Sequence, residues 1–122
     1  MLSSRDICLL NSNPAISLSD QELRIAIARE VIGWKNVRQH SDGRITAETE
    51  TVLTTVPLSV PDWINDESRM SYLELGIKRK GWFTAYQREL AKIAGDFNPN
   101  PSARQRCEAA LSTARLSPMD RY

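Results

Sequence analysis

The segment from Val60 to Met70 constrains the fold of this chain most, because it joins an extended stretch to the start of a helix. Pro61 disfavours helical backbone at the residue before it. Three side chains that can cap the first amides of a helix follow it: Asp62, Asn65 and Asp66. Trp63 precedes the last two of these caps, where an apolar residue commonly packs back on the first helical turns. The segment therefore predicts an ordered entry into a helix, with an architectural role for its tryptophan.

Length and charge exclude several classes of protein. The 122 residues fit one domain that buries roughly two-thirds of the surface of its unfolded form. Lysine and arginine outnumber the acidic residues by 16 to 15, so no overall field draws the chain to duplex nucleic acid or to an anionic membrane. Residues 1–10 lack a secretory leader pattern and no apolar run is long enough to span a bilayer. We therefore expect a cytosolic protein that contacts no membrane.

The cysteines and the single histidine do not form a pattern typical of a metal site. Cys8 and Cys107 lie far apart in the sequence, and His40 is not part of a paired ligand motif. Two buried thiols are expected, with no metal and no cofactor.

Four helices are predicted, over residues 20–32, 66–80, 82–94 and 102–114. Ser19 with Glu22 and Ser102 with Gln105 form capping-box patterns before the first and the last of them. Glycines that favour helix ends follow three of the helices: Gly33, Gly81 and Gly95. The aromatic start of the third helix would also suit a strand, but its second half is rich in strong helix formers. A helix is therefore the favoured interpretation there.

Residues 35–60 predict a hairpin or two to three short strands, because Asp42–Gly43 is a tight-turn dipeptide and the stretch after it is rich in Thr and Val. The predicted fold is a helix-rich α+β domain over residues 19–116. In it, helices pack on a small antiparallel sheet in an arrangement similar to an α-β-α sandwich. Residues 1–18 are predicted to form an N-terminal arm or edge strand, and residues 117–122 a C-terminal tail.

No catalytic motif occurs in the chain: there is no nucleophile-base signature, no glycine-rich phosphate loop and no histidine pair. His40 is interpreted as a solvated turn residue. Three clustered carboxylates could hold a cation, but capping of a helix N-terminus already explains Asp62, Asp66 and Glu67. A protein that acts without catalysis is therefore predicted.

The candidate ligand site combines three cations with two aromatic residues: Lys78, Arg79, Lys80, Trp82 and Tyr86. Cations hold phosphate and aromatic rings stack on bases, which is typical of sites for nucleotides. The alternative is that the cations stabilise a helix C-terminus while the aromatic rings lie in the core. The position of the Trp82 ring decides between the two, because a ligand site needs that ring exposed beside the cations.

Three blocks give the chain a resemblance to a known family: Leu23–Trp34, Val60–Asp66 and Ala103–Leu111. The Gly-Trp exit from the first helix and the Pro-Asp-aromatic-x-Asn-Asp entry into the second resemble the phage α-β-α sandwich domain, found in small proteins of tailed phages and prophages. The resemblance covers roughly residues 19–116, with Trp63 where similar proteins carry Tyr. It implies the fold and a phage setting, and it supplies no catalytic residue.

Two functions follow as hypotheses. The first is a phage accessory protein that acts by binding in the host cytosol, against a host defence system, with either a protein or a small nucleotide signal as its target. The alternative is a structural or assembly component of the phage, in which aromatic surface makes contacts between copies of a homo-oligomer.

Overall fold

The computed structural model describes residues 17–51, 53–96 and 98–122. Its elements follow one another along the chain in this order: α1 Asp20–Ala26, a π-helical continuation Ile27–Ile32, β1 Lys35–Gln39, β2 Ile45–Glu50, β3 Thr55–Ser59, α2 Glu67–Arg79, α3 Phe83–Ala94, α4 Ala103–Ala114 and a 3₁₀ helix Pro118–Arg121. The predicted α+β class, with a small antiparallel sheet in a helix-rich domain, is confirmed.

The first helix begins as the sequence predicts and ends differently. Ser19 and Glu22 satisfy each other's backbone amides in a capping box. The second half, however, is a π-helix, in which the carbonyl of Ala28 accepts from the amide of Gly33 at its end and from that of Trp34 at 2.9 Å. Gly33 then reverses the chain at φ 85°, a backbone conformation that glycine adopts without strain. This wide turn delivers Trp34 to the edge of the sheet.

The sheet has three antiparallel strands in the order β1-β2-β3. The turn at Asp42–Gly43 joins the first two, where the amide of His40 donates to the carbonyl of Arg44 at 2.7 Å. Ile45 and Ala47 are buried beneath the helices, so these alternate positions of β2 define the inner face of the sheet. The opposite face is polar.

The inner face extends beyond the part that the helices cover. Leu58 on β3 pairs with Ala47. Val56 precedes Leu58 by two residues, so both side chains lie on the same face of the sheet. Val60, whose amide donates to the carbonyl of Ile45 at 2.9 Å, is buried. Leu58 is half-buried and Val56 is 41% exposed, so the apolar face opens progressively toward solvent.

The predicted caps precede α2 and α4, and the predicted glycines follow α2 and α3. Asp66 caps α2 by accepting from the amide of Ser68, and Ser102 with Gln105 forms the capping box of α4. Residues 83–94 are helical, which answers the ambiguity between helix and strand in this aromatic stretch. Gly95, at φ 96°, ends that helix.

Trp63 links the helix entry to the core. Its ring is fully buried, its Nε1 donates to the carbonyl of Arg24 at 3.3 Å, and its centroid lies 6.0 Å from that of Trp34. Arg24 reciprocates by donating through Nε to the carbonyl of Pro61 at 3.0 Å. The predicted packing role of Trp63 is thus confirmed.

Residues 1–16, which include most of the predicted arm and Cys8, lie outside the described residues. The predicted tail over residues 117–122 holds the 3₁₀ helix.

Candidate ligand-binding groove

The five predicted ligand residues do not share one open surface. Lys78, Arg79 and Lys80 are exposed, but the Trp82 ring is only 7% exposed and Tyr86 is fully buried. The hydroxyl of Tyr86 donates to Glu74 at 2.6 Å inside the domain. The aromatic half of the predicted site therefore belongs to the core, because the hydrophobic face of α3 packs against α2 and α4.

Two cations and the C-terminal residues cover the Trp82 ring. Lys80 Nζ lies 5.0 Å and Arg121 Cζ 4.9 Å from its centroid. The ring of Tyr122 lies beside Gly81, and Arg88 donates to the carbonyl of Asp120 at 2.8 Å. The chain's own tail thus occupies the position that a stacked base would take on Trp82.

Lys78 also makes a cation-π contact within the domain, since its Nζ lies 4.7 Å from the centroid of the Phe83 ring. Arg79 differs from its two neighbours. It makes no ion pair or ring contact with any of the residues that the structure describes. Its side chain lines a cavity beside α2.

That cavity is the smaller part of a groove along α2. The larger part, about 420 Å³, lies between the end of β3 and the start of α2. Its lining residues are Trp34, Leu58, Ser59, Val60, Pro61, Arg69 and Tyr72. The smaller part, about 170 Å³, is lined by Ile32, Tyr72, Leu75, Gly76, Arg79 and Lys80. We call the two parts together the α2 groove, with Tyr72 as the residue common to both.

The groove walls combine aromatic surface with two exposed arginines, Arg69 and Arg79. Tyr72 is 50% exposed and Trp34 half-buried, so both rings present area to a ligand. Arg69 lies with its Nε 3.9 Å from the nearest Asp66 oxygen, which is too long for a hydrogen bond. Its guanidinium therefore remains available to an anion in the groove.

Each wall follows from local sequence. The π-helical turn and Gly33 place Trp34 at the sheet edge, and the alternation of β3 places Leu58 on the inner face. Residues 69, 72, 76 and 79 of α2 recur at helical spacing, so their side chains and the open Gly76 position share one side of the helix. The groove lies where the helices leave part of the sheet's inner face uncovered.

Sequence reasoning finds Arg79 and Lys80 but misses Trp34, Arg69 and Tyr72. The available signal is the side of α2 that flanks its buried residues, where an exposed tyrosine lies three residues from an arginine. Trp34 could not be found in this way, because its position depends on a π-helix that the periodicity does not reveal.

The other predicted chemistry has structural explanations. His40 Nε2 lies 2.7 Å from Thr46 Oγ1. Asp62 accepts from the amides of Ile64 and Asn65, and Glu67 pairs with Arg106 at 3.1 Å. The hydroxyl and amide of Ser68 bond to Asp66 and hold the pKa of that carboxyl below its usual range. Within residues 17–51, 53–96 and 98–122, no three His, Cys, Asp or Glu side chains converge as metal ligands would.

Comparisons with protein-family models, with curated proteins and with solved structures find no match for the chain. In the described part of the chain, every helix is too short or too polar to cross a bilayer.

Proposed function

We propose that this protein acts by binding, without catalysis, and that the α2 groove holds a small nucleotide. The observation that carries the proposal is the convergence of two accessible aromatic rings and two exposed arginines on one concave surface. Tyr72 and Trp34 supply faces on which a base can stack. Arg69 and Arg79 supply planar donors for phosphate.

The dimensions of the groove support a ligand of this size. Pockets that hold small molecules commonly enclose about 300–1,000 Å³ and combine apolar walls with a few polar groups. The larger part, about 420 Å³, falls within this range. Its lining includes the apolar side chains of Leu58 and Val60 and the charged side chain of Arg69.

The resemblance of the chain to the phage α-β-α sandwich domain suggests the biological setting. In that setting the protein is an accessory factor of a phage or prophage that sequesters a nucleotide signal of the host in the cytosol. The near-neutral charge of the chain supports a small ligand over duplex nucleic acid, because duplex binding requires a broad cationic surface.

Thermal denaturation in the presence of a nucleotide panel tests the proposal. The panel contains mononucleotides, cyclic nucleotides and derivatives of adenosine diphosphate ribose. A ligand present at 100 times its Kd adds about 2.7 kcal/mol to the free energy of unfolding, or roughly 10 °C in Tm for a domain of this size. A Tm that no compound raises would overturn the proposal.

Groove variants make the test specific to the site. Tyr72→Ala and Arg69→Gln should each reduce the shift, because both side chains are exposed in the groove. Arg38→Gln is the matched control, since Arg38 is an exposed arginine on β1 and does not line the α2 groove. An equal shift in all variants would place the ligand elsewhere.

Exposed apolar residues in and near the groove favour a second candidate function, that of an oligomeric structural component of a phage. Val56, Tyr72 and Leu75 are 41–50% exposed, and such side chains are typical of contacts between subunits when they are contiguous. Multi-angle light scattering separates the two functions. A dimer that Leu75→Asp converts to a monomer would support the oligomer, whereas a monomer at all concentrations would exclude it.

A further inference from the structure

The α2 groove carries its cations at two separate ends. Arg69 lines the larger part and Arg79 lines the smaller part, with Tyr72 between them on the same side of the helix. The two arginines are ten residues apart, which corresponds to about 15 Å along an α-helix. One phosphate group is too small to contact both guanidinium groups across that length.

The path between the two ends is open. Gly76 lies between Tyr72 and Arg79 in the middle of α2, and a methyl group built on it would meet no atom within 4 Å. Among the described residues, Tyr72 is the one side chain common to both parts of the groove, and its exposed ring can lie under a bound base. A ligand can therefore continue from one part to the other over the helix surface.

Arg69 has a long, exposed ion pair at one end of the groove, and Arg79 at the other end has none among the described residues. The nearest carboxylate oxygen to Arg69 is the Asp66 oxygen at 3.9 Å, with both side chains at least half exposed. Arg79 has no ionic partner in the part of the chain that the structure describes, and Lys80 next to it lies over the Trp82 ring. Two phosphates, one at each end, would complement this distribution of charge.

We infer that the ligand of the α2 groove carries two phosphate groups on either side of a nucleoside with a stacked base, as a 5′-phosphorylated dinucleotide does, and that a mononucleotide fills only one end. This inference rests on the proposed function and specifies its ligand class. The Arg69 end binds one phosphate, the Tyr72 ring stacks with the base, and the Arg79 end binds the second phosphate.

Calorimetric titration with three adenine ligands tests the inference: the 5′-monophosphate, the 5′-phosphorylated dinucleotide and the 5′-phosphorylated tetranucleotide. The dinucleotide should bind at least about tenfold more tightly than the mononucleotide, because it gains a charge-assisted phosphate contact. The tetranucleotide should gain little more. Equal affinity for the mononucleotide and the dinucleotide would overturn the inference. An affinity that keeps rising up to the tetranucleotide would also overturn it, because that result indicates a binding site for single-stranded nucleic acid.

Three variants locate the two phosphates. Arg69→Gln and Arg79→Gln should each weaken the dinucleotide by about tenfold, while only one of them should weaken the mononucleotide. Gly76→Leu should weaken the dinucleotide alone, because the new side chain fills the path between the two ends without removing a charge. Arg38→Gln is again the control.

The outcomes separate this inference from the proposed function. If no adenine ligand binds and the wider nucleotide panel also gives no shift, the proposed function fails. If the mononucleotide binds and responds to Tyr72→Ala, but Arg79→Gln and Gly76→Leu change nothing, the groove function stands and the two-phosphate ligand is wrong.

Discussion

The hydroxyl of Tyr86 on α3 donates a 2.6 Å hydrogen bond to the carboxylate of Glu74 on α2. Burial, and then this bond to Glu74, raise the pKa of Tyr86 well above its usual range, so the phenol remains a neutral donor at any working pH. Tyr86→Phe removes the donor, and the half-buried carboxylate then keeps Arg106, 3.8 Å away, as its ionic partner. We expect the free energy of unfolding to fall by about 1.5–3 kcal/mol, measured by urea denaturation.

Tyr72→Phe is the matched control for that experiment. Tyr72 is on the same helix as Glu74, is 50% exposed and makes no hydrogen bond to another described residue. Its hydroxyl should therefore contribute less than about 0.5 kcal/mol. Similar losses in the two variants would show that the Tyr86 bond is not a specific source of stability.

Gly76 and Gly33 should respond in opposite ways to alanine. Gly76 lies in the middle of α2 and a Cβ there meets nothing within 4 Å, so Gly76→Ala should raise the free energy of unfolding by about 0.5–1 kcal/mol. A Cβ at Gly33 also meets nothing within 4 Å, but the φ of this residue is 85°, which strains any other residue. Gly33→Ala should therefore lower the free energy of unfolding by about 1 kcal/mol or more. Thermal denaturation of both variants measures the difference. Stabilisation by Gly33→Ala would contradict the left-handed end of the π-helix.

The same two positions show how far the sequence determines the fold. Gly33 is recognisable as a helix end because glycine adopts left-handed backbone at little cost, and the Ser19 and Ser102 capping boxes are local patterns of the same kind. The π-helical turn before Gly33 is invisible, because its extra residue changes the hydrogen-bond ladder without changing the composition.

The candidate site was less predictable than the fold, because proximity in sequence does not show which way a side chain points. Trp82 and Tyr86 follow the cations of α2 in sequence, yet α3 turns both rings into the core. Arg69 and Trp34 are far apart in sequence, and only the tertiary fold brings them into the lining of one groove.

Cys107 should be chemically inert while the domain is folded. Its thiol is buried on α4, 3.8 Å from the sulfur of Met70, and burial raises its pKa to about 12. At pH 8 only about one thiol in ten thousand is then ionised, and the thiolate is the reactive form. In a Cys8→Ser background, an aromatic disulfide reagent should label Cys107 at least about a hundredfold more slowly in buffer than in urea. Labelling at equal rates would show that α4 opens readily.

Glu108 should make stability depend on pH with a sign opposite to that of most carboxylates. One of its oxygens lies 3.7 Å from Arg104 Nε, whereas the other is buried without a partner among the described residues. Burial raises its pKa, and the attraction of Arg104 opposes this only in part. The folded protein therefore binds this proton more tightly than the unfolded chain does, and ionised Glu108 destabilises the fold above its folded-state pKa.

Glu108→Gln removes that charge while keeping the shape of the side chain. We expect it to raise the free energy of unfolding at pH 7 by on the order of 1 kcal/mol. The gain should shrink as the pH falls through the folded-state pKa of Glu108 and vanish below the unfolded-state value, because wild-type Glu108 is then neutral in both states. Glu22→Gln is the control with the opposite sign, because the hydrogen bond from the Ser19 amide lowers the pKa of Glu22. Urea denaturation from pH 4 to pH 8 measures both. A loss of stability in Glu108→Gln that is full at pH 8 and fades toward pH 4 would mean that the Arg104 ion pair outweighs the cost of burying the carboxylate.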